Sequence, residues 1–244
     1  PYSYYQFSMP GWTAMETAWK GGKLSGYHKA LWETPQPVEY LFDTQADPWE
    51  INNLATDPAQ ADRLAAMSAR LKAKMTETKD TGVIPEPMFA ELAGDSTIYD
   101  FANSSGFDYG KTIDLAWLAT RRDAAQIPAL VSLLDAKDPV HRYWGAQGLL
   151  ILGEAAADQA PALEKTLNDH FAANRITAAH ALYLLGKKEL AATQLVAELD
   201  QSADDYAVQL AINTLTRVEA TDAVPSAWIE ATLSRKKPNE YLGR

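Results

Sequence analysis

Hydrophobic positions along the chain follow two rhythms. Alternation comes first: Tyr2, Tyr4, Tyr5 and Phe7 crowd one aromatic segment, and Val38, Tyr40 and Phe42 would share one face of an extended segment, so both stretches predict β-strands. Helical spacing then takes over. Pro10 and Gly11 open a helix through Ala14, Met15, Ala18 and Trp19 that ends at Gly21-Gly22. The strongest signal follows Asp57, an N-cap with Pro58 at the first helical position and Gln60 completing a capping box. From there Ala61, Leu64, Ala65, Met67, Ser68, Leu71 and Met75 draw one stripe at i, i+3, i+4, i+7. Gly82, Pro85 and Pro87 stop it. Residues 1–93 therefore predict a small α+β subdomain, an antiparallel sheet with a long helix. Residues 94–110 read as a linker with one helical turn.

Beyond residue 110 the pattern repeats. Leu130, Leu163 and Val196 are 33 residues apart, as are Leu149, Leu182 and Leu215, and Ala146, Ala179 and Ile212. Gly153 and Gly186 close the second helix of their units, Pro128 and Pro161 open the first, and Asp138-Pro139 and Asn174-Arg175 read as the polar turns. Helix pairs at this period are the mark of an α-solenoid, here HEAT-like over 111–244, with helices 112–120 and 225–233 as caps.

Composition narrows the function. The chain has 244 residues and a net charge of −10, divided as −7 over 1–110 and −3 over 111–244, so a phosphate-neutralising nucleic-acid face is excluded. No apolar run is long enough to span a membrane. Absence of cysteine removes disulfides, thiolate metal sites and thiol nucleophiles. Pro1 stands where Met would, with no signal-peptide pattern after it, and this leads us to expect a piece of a longer protein.

Catalytic constellations are missing. His28, His141, His170 and His180 have no metal-ligand spacing, and there is no GxSxG, P-loop or GxGxxG. Asp43, Asp47, Glu50 and Asp57 suggest a calcium loop, but they lack the EF-hand glycine and terminal glutamate, and Pro48-Trp49 points to a packed turn. Eleven of the 24 aromatics lie in the first 49 residues. Such density fills a small core; a sugar-stacking surface would instead leave Trp12, Trp19 and Trp32 exposed.

One string is more specific. Residues 37–54, PVEYLFDTQADPWEINNL, followed by the helix opened at Asp57-Pro58, resemble the C-terminal subdomain of sulfatases of the alkaline-phosphatase-like superfamily. The pattern is an aliphatic/aromatic strand, Tyr/Phe-Asp, Asp-Pro-x-Glu-x-x-Asn-Leu and a long helix. The stretch from Met9-Pro10 to Lys23-Leu24 is similar to the helix before it in bacterial members, and the HEAT-like tail to an extension some of them carry. In this motif Asp43 can cap the turn, Asp47-Pro48 stiffens it, Glu50 and Asn53 can bond exposed backbone, and Trp49, Ile51 and Leu54 anchor it to the sheet.

The resemblance implies a sulfuric ester hydrolase, acting on a sulfated carbohydrate, whose catalytic domain lies upstream. The family's formylglycine comes from a Cys/Ser-x-Pro-x-Arg motif, and here Ser8-Met9-Pro10-Gly11-Trp12 fails at the Arg. The chain itself is thus assigned no catalytic residue, metal or cofactor, and calcium is expected in the missing domain. The partners implied are that domain and a sulfated glycan, with a periplasmic or secreted location. By the same analogy Tyr5, Gln6, His28 and Lys29 are the substrate-binding candidates at the cleft. The alternative is a non-enzymatic HEAT-repeat scaffold for protein interaction. On either reading the first subdomain, deprived of a neighbour, should expose an apolar patch.

Overall fold

The structure, a computed structural model, describes residues 9–234. The chain divides between Thr78 and Lys79 into two units.

In the first unit, helix α1 (Pro10–Lys20) ends as expected at Gly21-Gly22. Gly22 adopts φ +66°, and Lys23 N–H returns to the Ala18 carbonyl at 2.8 Å, closing the helix with a left-handed residue. A short helix α2 (Gly26–Ala30) follows. Trp32 is buried, with its ring centroid 5.1 Å from that of Trp12 and 5.8 Å from that of Trp19, so these indoles pack on one another as a core. Asp57 caps the long helix by accepting from Ala59 N–H at 2.9 Å. The first turn, Pro58–Gln60, is a 3₁₀ turn, and α3 then runs over Ala61–Thr78.

The expected antiparallel sheet is not formed: there is no strand among the described residues, and residues 38–42 are irregular. A ladder needs a second backbone to pair with. Here the Asn53 side-chain amide takes that edge. Its Oδ1 accepts from Leu41 N–H at 2.9 Å and its Nδ2 donates to the Glu39 carbonyl at 3.2 Å, while Leu54 N–H donates to the Leu41 carbonyl at 2.8 Å. The other expected strand, Tyr2–Phe7, lies outside the described residues.

The second unit is helical throughout its described residues. After 3₁₀ turns at Thr81–Val83 and Glu86–Met88 come α4 (Phe89–Ala93), α5 (Ile98–Asn103) and α6 (Tyr109–Thr120). Three helix pairs follow: α7 (Ile127–Leu133) with α8 (Pro139–Leu152), α9 (Ala160–Thr166) with α10 (Ala172–Leu184), and α11 (Lys188–Gln201) with α12 (Asp205–Arg217). Helix α13 (Ser226–Leu233) closes the array. Leu130, Leu163, Leu149, Leu182 and Leu215 are all buried in one continuous core, as the period of 33 requires. Close packing of the first pair depends on two glycines. A Cβ on Gly145 would stand 2.8 Å from the Leu130 carbonyl oxygen, and one on Gly148 would stand 2.4 Å from Leu130 Cδ2.

One turn is misplaced by the sequence reading. Asn174 and Arg175 lie inside α10, and the connection before that helix is residues 167–171. Both polar side chains turn inward to bond other segments, a tertiary use that mimics turn composition.

Successive second helices touch one another, α6 to α8 to α10 to α12, whereas the first helices of neighbouring pairs barely meet. The second helices therefore form the tighter, inner row. Among the described residues no helix is long and apolar enough to cross a membrane.

Candidate functional site

Two surfaces, one in each unit, carry the arrangement that bears on function. The first is the corner over residues 37–58. Asp43 Oδ1 accepts from Gln45 N–H at 3.1 Å and Ala46 N–H at 3.2 Å, and Asp47 Oδ2 accepts from Asn52 N–H at 2.7 Å. That last bond holds the Asp47 carboxyl below the usual carboxylate range. Asp57 caps the next turn, so these three acids serve the backbone instead of converging on a cation. No group of three or more potential metal ligands occurs among the described residues. Glu50 sits at φ +53°, a left-handed residue that reverses the chain after Asp47-Pro48.

What the corner presents is apolar. Trp49 is 79% exposed and Ile51 50%, so they do not anchor the turn inward as the motif predicted; Val38 and Tyr40 are exposed beside them. Leu54 is half-buried. Helix α3 continues this character, because it buries no residue and leaves Met67 and Leu71 exposed. Large apolar side chains are therefore exposed on this half. Beside the corner, an open groove is lined by Phe42, Thr44, Gln60, Arg63 and Met67.

The substrate-binding candidates are not gathered into a site. Tyr5 and Gln6 lie outside the described residues. His28 and Lys29 are both exposed on α2, and Lys29 Nζ is held by Glu33 Oε1 at 2.7 Å, which raises its pKa.

The second surface is the inner row of the helical unit. Its N-terminal side is covered by a strap, residues 79–93. Thr81–Val83 lies against α6, the Trp144 indole N–H donates to the Val83 carbonyl at 2.9 Å, and Glu86–Met88 packs on α10 and α12. Ile84 and Met88 are its buried anchors. Between the two 3₁₀ turns the backbone is extended at Ile84 and Pro85. The His170 ring and Glu91 meet at 2.6 Å along one side. A stretch whose prolines signalled only the end of a helix thus meets all four inner helices. Its apolar Val83, Ile84 and Met88 are the signal that reveals it.

Polar side chains stitch the repeats together. Arg142 donates through Nη1 to the Ala136 and Lys137 carbonyls and grips Asp169 with Nε and Nη2. Thirty-three residues on, Arg175 repeats the arrangement: Nη1 reaches the Asp169 and His170 carbonyls, and Nε and Nη2 grip Glu198 at 2.6 and 2.7 Å. Burial pushes the Asp169 carboxyl up, but Arg142 and the Phe171 N–H outweigh it and leave the pKa lowered. Each arginine caps one helix end and ties it to the next pair.

The repeat histidines differ in role. His141 is buried, with Nε2 3.1 Å from Thr112 Oγ1, and burial lowers its pKa against the opposing pull of Asp138. His180 is half-buried on α10; burial, then the Arg217 charge, lower its pKa to about 4.

No family model matches the chain, and no curated protein or solved structure is significantly similar to it.

Proposed function

We propose that this chain is the C-terminal portion of a sulfatase. Its first unit completes an upstream catalytic domain and flanks the cleft, and its second unit is a helical extension. Hydrolysis of a sulfate ester on a carbohydrate would run in the preceding domain, on a formylglycine and a calcium ion held there. The carboxylates of the corner are committed to backbone caps and do not fit that ion, so no step is routed through it in this chain.

The observation that carries the reading is the corner at 37–58. Four side chains, Asp43, Asp47, Asn53 and Asp57, are spent fixing a backbone whose apolar residues Val38, Tyr40, Trp49 and Ile51 face outward. Rigid presentation of apolar groups is what a surface built to be covered requires. The scaffold alternative keeps only the part of the inner row that the strap leaves open.

The test is to express the reading frame extended upstream of Pro1 and to measure sulfate released from p-nitrocatechol sulfate and from sulfated glycosaminoglycan oligosaccharides. The longer protein is expected to release sulfate and to lose that activity when the Cys or Ser of an upstream Cys/Ser-x-Pro-x-Arg is replaced by Ala. Residues 1–244 alone should release none. An upstream frame without that motif, or one with it that hydrolyses no sulfate, overturns the proposal.

A further inference from the structure

We infer that the groove between the corner and α3 binds a saccharide unit carrying an anionic group, a carboxylate or a sulfate. The groove has a volume of about 340 Å³, inside the roughly 300–1,000 Å³ of small-ligand sites. Two segments wall it. Phe42, Thr44 and Gln45 come from the corner, and Gln60, Arg63 and Met67 lie at i, i+3, i+7 on one face of the capped helix. Leu41, buried, and Leu54, half-buried, add apolar surface. Thr44, Gln45, Gln60 and Arg63 make no side-chain hydrogen bond or ion pair among the described residues. By contrast, Lys20, Lys29 and Lys74 of the same unit are paired with Glu16, Glu33 and Glu77. The backbone that carries the unengaged groups is fixed. Asp43 Oδ1 accepts from the N–H groups of Gln45 and Ala46, and Asp57 Oδ1 from that of Ala59, the residue before Gln60. Phe42 is stacked on Tyr40 with ring centroids 6.0 Å apart. A ligand thus meets a frame that is already ordered.

The mixture of groups selects the ligand. Arg63 is the one cation among the described lining residues, and its planar fork suits a carboxylate or a sulfate. A bare inorganic anion leaves the rest unused. Thr44, Gln45 and Gln60 each donate and accept, as sugar hydroxyls do. Asp43 also lines the groove; its Oδ2 takes part in neither cap bond, so it can accept from a hydroxyl and repels an anion placed against it. Phe42 and Met67 offer apolar surface to the C–H face of a sugar ring. A neutral sugar, in turn, leaves Arg63 unused. The choice of a uronic or sulfated unit rests on the sulfatase reading. The test below measures binding by residues 1–244 and no hydrolysis, so that the two readings fail separately.

The experiment titrates the isotope-labelled chain with an unsulfated chondroitin disaccharide, which keeps the carboxylate, and with N-acetylgalactosamine sulfate, which keeps the sulfate. Backbone and glutamine side-chain amide resonances are followed by NMR. At least one of the two saccharides should bind saturably and shift the Gln45 and Gln60 side-chain amides, and the one that binds identifies the anion. Arg63→Ala should weaken binding at least about tenfold, as loss of a charge-assisted hydrogen bond requires, and Gln60→Ala about fivefold, with unchanged circular dichroism. Gln60→Glu keeps the size of the side chain and favours the helix start, yet sets a negative charge beside the anion, and should weaken binding at least as much as Gln60→Ala. The inference is overturned when neither saccharide shifts these resonances, or when Arg63→Ala binds as tightly as the parent. Inorganic sulfate that binds as tightly as the saccharides means an adventitious ion only and overturns it too, as does lactose, a neutral disaccharide, binding equally well.

Discussion

The two units handle apolar surface in opposite ways. Of the 33 apolar residues buried among the described residues, only Trp32 and Leu41 belong to the first unit. Of the fifteen large apolar side chains that are exposed, nine belong to it: Met9, Tyr27, Leu31, Val38, Tyr40, Trp49, Ile51, Met67 and Leu71. The second unit is the longer and carries the other six. A helix as long as α3 earns most of its stability from packing one face, and here no residue of that face is fully buried. The contrast separates a unit that is finished from one whose geometry is set but whose burial is not.

The largest expected effect tests that contrast directly. Leu182 is fully buried, and Leu182→Ala should cost about 3–5 kcal/mol by deletion of buried methyl groups and the cavity left behind. Leu71→Ala removes the same atoms from an exposed position and should change stability by less than about 0.5 kcal/mol. Urea unfolding of the two variants of this chain decides it. Equal losses would mean that α3 is packed and that the first unit has a core of its own.

That difference explains what was legible in the sequence. The helix pairs could be read because their information is local and redundant: Leu149, Leu182 and Leu215 repeat one environment three times. The Asp57 cap and the Gly22 ending of α1 were equally local. The strand at 38–42 failed because alternation of Val38, Tyr40 and Phe42 specifies a face but not a pairing partner, and the Asn53 amide consumes the backbone groups at 39 and 41. The strap escaped notice because its key bond joins Val83 to Trp144, 61 residues away. Nor could spacing distinguish His141, satisfied by Thr112, from His180, which is not.

A smaller effect concerns acid. His180 is half-buried with its pKa lowered to about 4, while the unfolded chain takes up its proton near the ordinary value of 6.5. Between these values the unfolded state binds more protons, so stability is present above pH 6.5 and is lost as pH falls toward 4. His141, also lowered by burial, adds loss of the same sign below 6.5. For His180 the loss should reach about 2 kcal/mol by pH 4.5. His180→Asn should flatten the urea-midpoint curve between pH 7.5 and 4.5 by that amount, with His28→Asn in the exposed first unit as the matched control. A curve unchanged by His180→Asn would show that the imidazole is solvated and that the finished unit is more open than its contacts imply.

The smallest effect lies at the end of the last repeat. Gly153, Gly186 and Glu219 are 33 residues apart and share positive φ, at +56°, +87° and +56°. Helices α10 and α12 close identically: Lys187 N–H returns to the Leu182 carbonyl at 2.9 Å, and Ala220 N–H to the Leu215 carbonyl at 2.8 Å. The third repeat thus keeps the glycine geometry with a side chain that disfavours it by about 1 kcal/mol. Glu219 is exposed, so its side chain gives little in return. Glu219→Gly should relieve that strain, partly offset by the greater freedom of glycine in the unfolded chain, for a net gain of about 0.5 kcal/mol. Gly186→Ala, at the equivalent position one repeat earlier, should lose about 1 kcal/mol. Opposite signs in the two melting curves would establish that the repeats are held to one backbone template even where the residue departs from it. A loss on Glu219→Gly would mean that the glutamate is engaged by something that covers the end of the array.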